Sequence, residues 1–206
     1  ETAYRINAAG SGNVAAACHR HGVRLIAIST DYVFGLDGNV PRTEDMPLDP
    51  LGAYGRTKLH GEQAIAASGC KHIIVRTAWL YSEEGNNFLR TMLRLTAERE
   101  TLNVVFDQIG TPTYAADLAR LLADMAESDR YGRYNAVNSG GYVSWYDFAC
   151  AIFRTAGIPM TVLPVTTEEY GRSLAVRPHS SRLDTGKLAG SGFAPLPDLS
   201  LIHISE

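Results

Sequence analysis

The sequence predicts an α/β fold built around a parallel β-sheet. Patterns typical of strands and of helices alternate along most of the 206 residues, as in folds whose parallel strands are joined by helices. Two short apolar runs, VRLIAIS at 23–29 and HIIVRT at 72–77, have the length and composition of strands buried on both faces. The segment 114–127 carries its leucines at helical spacing, which indicates a helix that covers such a sheet.

The ends of the elements are marked by glycine, proline and serine. Gly22 and Gly69 follow apolar or alanine-rich segments and predict helix stops, and Ser144 predicts a helix N-cap. Residues 35–52 contain three glycines and three prolines, which predicts a long loop of the kind that usually serves function. The predicted elements are helix 3–21, strand 23–29, helix 53–68, strand 72–77, helix 87–98, strand 101–106, helix 114–127, strand 131–137, helix 144–156 and strand 161–165.

The composition changes near residue 158, where proline, glycine and serine become more frequent. We therefore predict a main domain over residues 1–157, interleaved with some segments of a second lobe, and a smaller C-terminal lobe over 158–198. Residues 199–206 have neither a helix stop nor a polar end. We expect them to be a truncated or non-native tail.

Composition and charge exclude several classes of protein. Hydrophobic residues make up 45% and charged residues 20%, with a formal net charge of −3, so no strong field for nucleic acid or an anionic membrane is present. No apolar run approaches the roughly 18 residues of a membrane helix. The three cysteines are scattered without metal-ligand spacing, which predicts no metal site and a reducing, cytoplasmic location.

Residues with hydroxyl and carboxylate side chains follow the first predicted strand. In open α/β sheets ligands bind beyond the carboxyl ends of the strands, and there the chain carries Ser29, Thr30 and Asp31. Two hydroxyls and a carboxylate at this place are compatible with a ligand site. They are equally compatible with a hydrogen-bonded Asx or Ser/Thr turn.

A second candidate lies near the start of the helix over 53–68. Tyr54 and Lys58 are four residues apart and so share one helical face. A cation close to a phenol lowers its pKa from about 10, and a phenol tuned in this way can exchange protons with a substrate. A single Y-x-x-x-K pattern also arises by chance on exposed helices.

The ordered set of motifs resembles the dTDP-4-dehydrorhamnose reductase family, in the sugar-nucleotide branch of the extended short-chain dehydrogenase/reductases. The resemblance runs from about residue 3 to 198. The motifs are STDYVF at 29–34, YGRTK at 54–58, RTAWLY at 76–81, NNF at 86–88, QIGTPT at 108–113 and RP at 177–178 with Ser181, Leu183 and Asp184.

This resemblance implies a Rossmann-like, doubly wound sheet with a substrate-binding C-terminal lobe, and reduction of dTDP-4-dehydro-L-rhamnose to dTDP-L-rhamnose with NADPH or NADH. It makes Tyr54 the proton donor, with Lys58 and Thr30 as its catalytic partners. It also implies that the product enters cell-surface polysaccharide. The sequence is compatible with a homodimer and does not fix the oligomeric state. The remaining implied contacts are Tyr54, Lys58 and Ser29 to the cofactor, and Thr30, Asp31, Trp79, Gln108 and Arg177 to the substrate.

The segment Gly10 to Ala15 (GSGNVA) fits a dinucleotide fingerprint, with Asp31 some twenty residues later. The preceding residues 1–9 are helical in pattern rather than a strand, so we predict that these glycines lie within a helix. The resemblance then places the glycine-rich loop and the first strands before Glu1, and we expect roughly 70 residues there, at 30 or more per βαβ unit.

Two other functions fit the same motifs. Another extended reductase or an epimerase could use the threonine, tyrosine and lysine set on a different nucleotide sugar. A non-catalytic regulatory subunit could retain the fold, although Thr30, Tyr54 and Lys58 together favour catalysis. NADH and NADPH both fit, because the residue that selects between them follows the second strand of the family, ahead of Glu1.

Overall fold

The computed structural model describes residues 1–35, 38–171 and 177–199. The strands are β1 Leu25–Thr30, β2 His72–Thr77, β3 Leu80–Tyr81, β4 Thr101–Val105, β5 Ile109–Gly110, β6 Thr113–Tyr114, β7 Gly132–Asn135, β8 Asn138–Ser139, β9 Val143–Ser144, β10 Thr161–Val165, β11 Ser180–Ser181 and β12 Leu196–Asp198. The α-helices are α1 Thr2–Tyr4, α2 Ser11–Arg20, α3 Ala53–Ala67, α4 Phe88–Leu95, α5 Ala115–Ala126, α6 Trp145–Thr155, α7 Thr167–Tyr170 and α8 Gly186–Gly190. A π-helix, Arg5–Gly10, joins α1 to α2, and a 3-10 helix, Asp31–Val33, follows β1. Across these described ranges no helix is long and apolar enough to cross a bilayer.

The central sheet consists of β1, β2 and β7 in that order, and all three strands are parallel. Thr30 pairs in register with Thr77, so β1 and β2 end level with each other. The chain segments that follow these two strands therefore begin at the same edge. This parallel sheet confirms the predicted fold class, and the strand predicted at 23–29 begins and ends slightly later, at Leu25 and Thr30.

Helices cover both faces of this sheet because successive residues of β2 point in opposite directions. Ile73 and Val75 pack with Leu118 and Met125 of α5. Ile74 packs on the other face with apolar residues of α2 and α3. The sheet is therefore doubly wound, as predicted.

A second apolar cluster has its own set of elements. It joins buried residues of β4, α4 and α6, and the partly buried Val162 of β10 packs against it. Strand β10 pairs with β4, whereas Leu188 and Leu196 return to the core of the central sheet. The lobe predicted over residues 158–198 is thus divided between two cores, and the second cluster draws most of its residues from before residue 158.

The glycines at positions 10 and 12 lie within the first helical run. Gly10 has helical dihedral angles of −60° and −46°, which confirms the prediction that these glycines lie within a helix. The run packs tightly against α3, because a Cβ atom at Gly61 would lie 2.3 Å from the carbonyl oxygen of Asn7. The Asn7 side chain also donates a hydrogen bond to the Thr57 hydroxyl at 3.1 Å. At Gly12 a Cβ atom would lie 3.2 Å from Cβ of Ala64, so a small residue there suits the close packing of this run against α3.

A buried ion pair joins α3 to the central strand. Arg76 of β2 and Glu62 of α3 are both buried, and the guanidinium donates two hydrogen bonds to the carboxylate, at 3.0 and 2.7 Å. Arg76 also donates to the carbonyl oxygen of Glu44, and the Ser29 hydroxyl donates to Glu62 at 2.6 Å. Such a pair fixes the helix at one position along the sheet, because neither charge can be left alone in the interior.

We predict that Glu62→Ala lowers the free energy of unfolding by about 3–5 kcal/mol, since it leaves the Arg76 guanidinium buried and unpaired. The double variant Glu62→Leu/Arg76→Met, which buries no charge, should lose less. Urea unfolding measures both. Arg120→Ala, which removes a pair exposed on the arginine side, is the control and should change stability by at most about 1 kcal/mol. A double variant less stable than the single one would contradict this account.

Candidate active site

The end of β1 forms a compact polar turn. The Thr30 hydroxyl accepts a hydrogen bond from the backbone N–H of Tyr32 at 3.2 Å and donates to a carboxylate oxygen of Asp31 at 3.0 Å. Thr30 and Asp31 are both buried. The structure therefore contains the Ser/Thr turn that the sequence allowed as an alternative to a ligand site. It also brings two polar side chains to the edge of the sheet where ligands bind in this class of fold.

Helix α3 places Tyr54 beside this turn. Tyr54 lies in the first turn of the helix and is 50% exposed. Its ring meets the ring of Tyr32 edge to face, with 5.9 Å between the centroids. The close approach depends on Gly55, because a Cβ atom there would lie 2.1 Å from the carbonyl oxygen of Tyr32. A glycine after the tyrosine thus lets the helix start against the 3-10 turn.

The phenol of Tyr54 is held in its protonated form. Partial burial raises the pKa of Tyr54 above its ordinary value, and the neighbouring charge of Asp31 raises this pKa further. A hydrogen bond with the Thr30 hydroxyl acts in the opposite direction. At neutral pH the Tyr54 phenol is therefore protonated and can donate a proton.

Lys58 lies one helical turn beyond Tyr54, but its ammonium group has a different partner from the predicted one. It donates a hydrogen bond to the carbonyl oxygen of Ile28 at 2.7 Å. Burial lowers the pKa of Lys58, and the Glu62 carboxylate raises it. The expectation that Lys58 lowers the pKa of Tyr54 is corrected, since the pKa of Tyr54 is raised. Here the ammonium is anchored to β1.

Asp31 is a buried carboxyl group with unused hydrogen-bonding capacity. Burial raises the pKa of Asp31 to about 6, and hydrogen bonds from Ser181 and Thr30 oppose the rise. One carboxylate oxygen, Oδ2, is buried and has no hydrogen-bond partner. Since buried polar atoms are nearly always paired, this oxygen is suited to accept a hydrogen bond from a ligand hydroxyl.

The Ser29 side chain, predicted to contact the cofactor, faces the interior instead. It is buried and donates its hydroxyl proton to Glu62. Its role in the structure is to tie β1 to the ion pair below the site. The physical reason is the strand alternation, which sends Ser29 and Thr30 to opposite faces of β1.

The three remaining predicted residues, Trp79, Gln108 and Arg177, have different neighbours. Trp79 follows β2 and stacks on Trp145, with ring centroids 3.6 Å apart. Gln108 is buried and donates its amide hydrogen to Thr167 at 3.0 Å, so this amide is engaged within the protein. Arg177 is exposed, and its charge lowers the pKa of Tyr32, which is raised overall by burial.

The structure therefore brings Thr30, Asp31 and Tyr54 together. Tyr32 and Ser181 also belong to this site, although the sequence patterns assigned neither of them an individual role. Both stand inside or beside motifs of the family resemblance, and that position is the signal that could have identified them. Trp145 and Glu62 had no such signal, since their partners are distant in sequence.

The donor set fits a nicotinamide ribose better than a metal ion. A half-exposed phenol and an ammonium group one turn apart can both bond to ribose hydroxyls, so Tyr54 and Lys58 are the residues that would hold such a group. Among the described residues no cluster of three or more histidine, cysteine, aspartate or glutamate side chains could bind a metal.

Comparison with known proteins identifies close relatives over nearly the whole chain. The family model described as "RmlD substrate binding domain" matches residues 1–200. The dTDP-4-dehydrorhamnose reductase of Escherichia coli K12 is 43% identical over 209 residues, which cover 96% of this chain and 69% of that protein. The spore coat polysaccharide biosynthesis protein SpsK of Bacillus subtilis is 42% identical, over 95% of this chain and 68% of that protein.

Solved structures agree with this result. The crystal structure of dTDP-4-dehydrorhamnose reductase from Bacillus anthracis in complex with NADP superposes with a TM-score of 0.91 at 44% identity. The match covers 95% of this chain and 69% of that one. The chain thus spans a little over two thirds of the length of these relatives.

We predict that Gly55→Ala displaces the start of α3, because the added methyl group would overlap the Tyr32 carbonyl oxygen. Such overpacking typically costs about 1–3 kcal/mol, and urea unfolding measures it. Gly190→Ala is the matched control, since a Cβ atom there meets nothing within 4 Å. Equal stability of the Gly55 variant and the control would contradict the close approach.

We also predict a pH-dependent difference between the protein and its Asp31→Asn variant. Burial favours the neutral carboxyl group, so the stability that Asp31 contributes is fully present below about pH 4 and is lost as the pH rises through about 6. Asparagine cannot ionise. Between pH 4 and pH 7.5 the variant should therefore gain up to about 3 kcal/mol relative to the parent. Urea unfolding at the two pH values tests this, and a constant difference would refute it.

Proposed function

Because the chain belongs to the RmlD substrate-binding family, whose members include dTDP-4-dehydrorhamnose reductases, we propose that it reduces dTDP-4-dehydro-L-rhamnose to dTDP-L-rhamnose. The observation that carries the proposal is the placement of Tyr54 against Tyr32, beside the Thr30–Asp31 turn at the carboxyl end of β1. Lys58 lies one helical turn away. The side chains of Thr30, Tyr54 and Lys58 are what carbonyl reduction requires of the protein in this fold.

Tyr54 acts as the general acid. Reduction adds a hydride to C4 of the keto sugar and a proton to its oxygen, and the phenol supplies that proton to the developing alkoxide. The raised pKa of Tyr54 keeps the proton on the phenol until the oxygen becomes basic. Thr30 lies at the same edge, and its hydroxyl proton, which is donated to Asp31 at 3.0 Å, would be donated to the sugar oxygen instead.

We propose NADPH as the cofactor, in line with the NADP complex of the Bacillus anthracis relative. When bound, NADPH supplies the hydride. Tyr54 and Lys58 would hold its nicotinamide ribose. Because the Lys58 ammonium already bonds to the Ile28 carbonyl oxygen at 2.7 Å, it is fixed at the strand end where this ribose would lie.

The substrate would be held by residues around the same edge. The unpartnered oxygen of Asp31 would accept a hydrogen bond from a sugar hydroxyl, and the Trp79 indole would pack against the sugar ring. The exposed Arg177 guanidinium would bind the diphosphate through its several donors. Gln108 contributes by fixing Thr167.

The proposal extends to cellular context. The three cysteines are free thiols, which supports a reducing, cytoplasmic location. The side chains of Ile6 and Val14 are exposed on the first helical run and offer an apolar surface for a homodimer. The product would serve the synthesis of cell-surface polysaccharide.

We predict that Tyr54→Phe lowers kcat by about 10²–10⁴-fold, the usual contribution of a general acid, with little change in stability because the half-exposed ring is kept. NADPH oxidation with dTDP-4-dehydro-L-rhamnose measures this in the polypeptide that includes the residues expected before Glu1. Tyr4→Phe, at an exposed tyrosine of α1, is the control and should retain full activity.

A panel of other nucleotide-linked keto sugars separates the alternatives. Faster turnover of a different sugar would assign the site to a related reductase. Absence of turnover with every sugar in a protein that binds NADPH would favour a regulatory subunit. Turnover unchanged in Tyr54→Phe would exclude this tyrosine as the acid.

A further inference from the structure

Trp79 has an unusual backbone conformation. It lies two residues beyond Thr77, the last residue of β2, and has a φ of +49°. Bulky side chains are rarely found in this left-handed region, and holding one there costs on the order of 1–3 kcal/mol unless the surroundings enforce it. Across residues 1–35, 38–171 and 177–199, Trp79 is the single non-glycine residue with a positive φ. Contacts with neighbouring residues must therefore hold the Trp79 side chain in this conformation.

Trp145 supports the indole from one side. The two rings are nearly parallel, at 13°, with centroids 3.6 Å apart. Phe88 lies against Trp145, with 4.6 Å between ring centroids. Trp145 is the first residue of α6, and the capping box formed by Ser144 and Asp147 fixes that end of the helix. Phe88 and the capping box thus hold Trp145 in place on the side that faces away from Trp79.

Gly110 fixes a second edge of the same indole. A Cβ atom at Gly110 would lie 2.8 Å from Cε2 of Trp79 and 3.0 Å from Cβ of Ser181. Gly110 pairs with Ser181 across β5 and β11, and Ser181 is near enough to Asp31 to lower the pKa of that carboxyl group. A single glycine therefore separates the indole from Ser181, which lies beside the catalytic turn.

We infer that Trp145 and Gly110 are positioning residues that hold the Trp79 indole as a rigid wall for the sugar ring of the substrate. The inference rests on the proposed function and deepens it. An indole face suits the C–H face of a deoxy sugar, which is the apolar part of this substrate. The indole stacks on Trp145 on one side, and the lack of a side chain at Gly110 leaves room for its edge. An indole held in this way would favour binding of the sugar, although it would not touch the carbonyl group that is reduced.

The first test detects the position of Trp79 without any assay of activity. The full-length protein is labelled with 5-fluorotryptophan, and the ¹⁹F resonance of Trp79 is assigned with Trp79→Phe. Trp145→Leu should shift this resonance, because the stacked ring is lost. The control Phe153→Leu alters a buried ring of the same helix that does not stack on Trp79, and it should leave the Trp79 resonance in place.

The second test separates substrate binding from chemistry. Aromatic pairs contribute roughly 0.5–1.5 kcal/mol, so Trp145→Leu should raise KM for the keto sugar about two- to tenfold, with kcat changed less than about twofold. Trp145→Phe, which retains a stacking face, should restore most of the KM. Gly110→Ala, which displaces the indole directly, should raise KM in the same way. Titration with dTDP-L-rhamnose should shift the Trp79 resonance in the parent.

The outcomes distinguish this inference from the proposed function. A parent protein that does not reduce the keto sugar overturns the proposed function, whatever the spectrum shows. An unchanged Trp79 resonance in Trp145→Leu overturns the positioning inference, even if the parent is fully active. A fall in kcat at constant KM, or an equal rise of KM in Phe153→Leu, also overturns it, because either would indicate a general loss of structure.

Discussion

The ion pair between Glu62 and Arg76 is the constraint on which the site depends. Its two charges are buried between α3 and the central strand, and each is satisfied only at one relative position of helix and sheet. Ser29 bonds to the same carboxylate, so the end of β1 is fixed as well. Helix α3 could otherwise slide along the apolar face of the sheet at little cost, because apolar contacts are not directional.

The geometry of the catalytic turn follows from this constraint. With α3 fixed, Tyr54 lies against Tyr32 beside the Thr30 turn, and Lys58 donates to the Ile28 carbonyl oxygen. Gly55 allows the first turn of the helix to approach the carbonyl oxygen of Tyr32. The electrostatics are set by the same arrangement, because burial keeps Tyr54 protonated and holds the pKa of Asp31 at about 6.

Local sequence patterns predicted the elements with strong periodicity or clear stops. The buried strand at 72–77 and the helix that carries Tyr54 and Lys58 are found where they were expected. The two-residue strands β5 and β11 were not predicted, because two residues contain no period. The Glu62–Arg76 and Trp79–Trp145 contacts also left no local signal. Their partners are 14 and 66 positions apart, and only the tertiary fold brings them together.

The partner of the Lys58 ammonium group was also not predictable from local sequence. Helical spacing predicted that Lys58 lies beside Tyr54, but the ammonium group donates its hydrogen bond to the carbonyl oxygen of Ile28, 30 residues earlier in the chain. The order of motifs, by contrast, carried information that spacing alone did not. Each motif is weak by itself, yet the family model over residues 1–200 and the Escherichia coli reductase at 43% identity agree with the family that the full set indicated.

The central claim is that Tyr54 delivers the proton to the sugar oxygen at the end of β1. A crystal structure of the protein with NADP and dTDP-L-rhamnose tests this most directly. The account predicts that the Tyr54 hydroxyl lies about 2.6–3.2 Å from the O4 atom of the sugar, with the Thr30 hydroxyl within hydrogen-bonding distance of one of them. A sugar whose O4 atom points away from Tyr54, toward another acid, would contradict it.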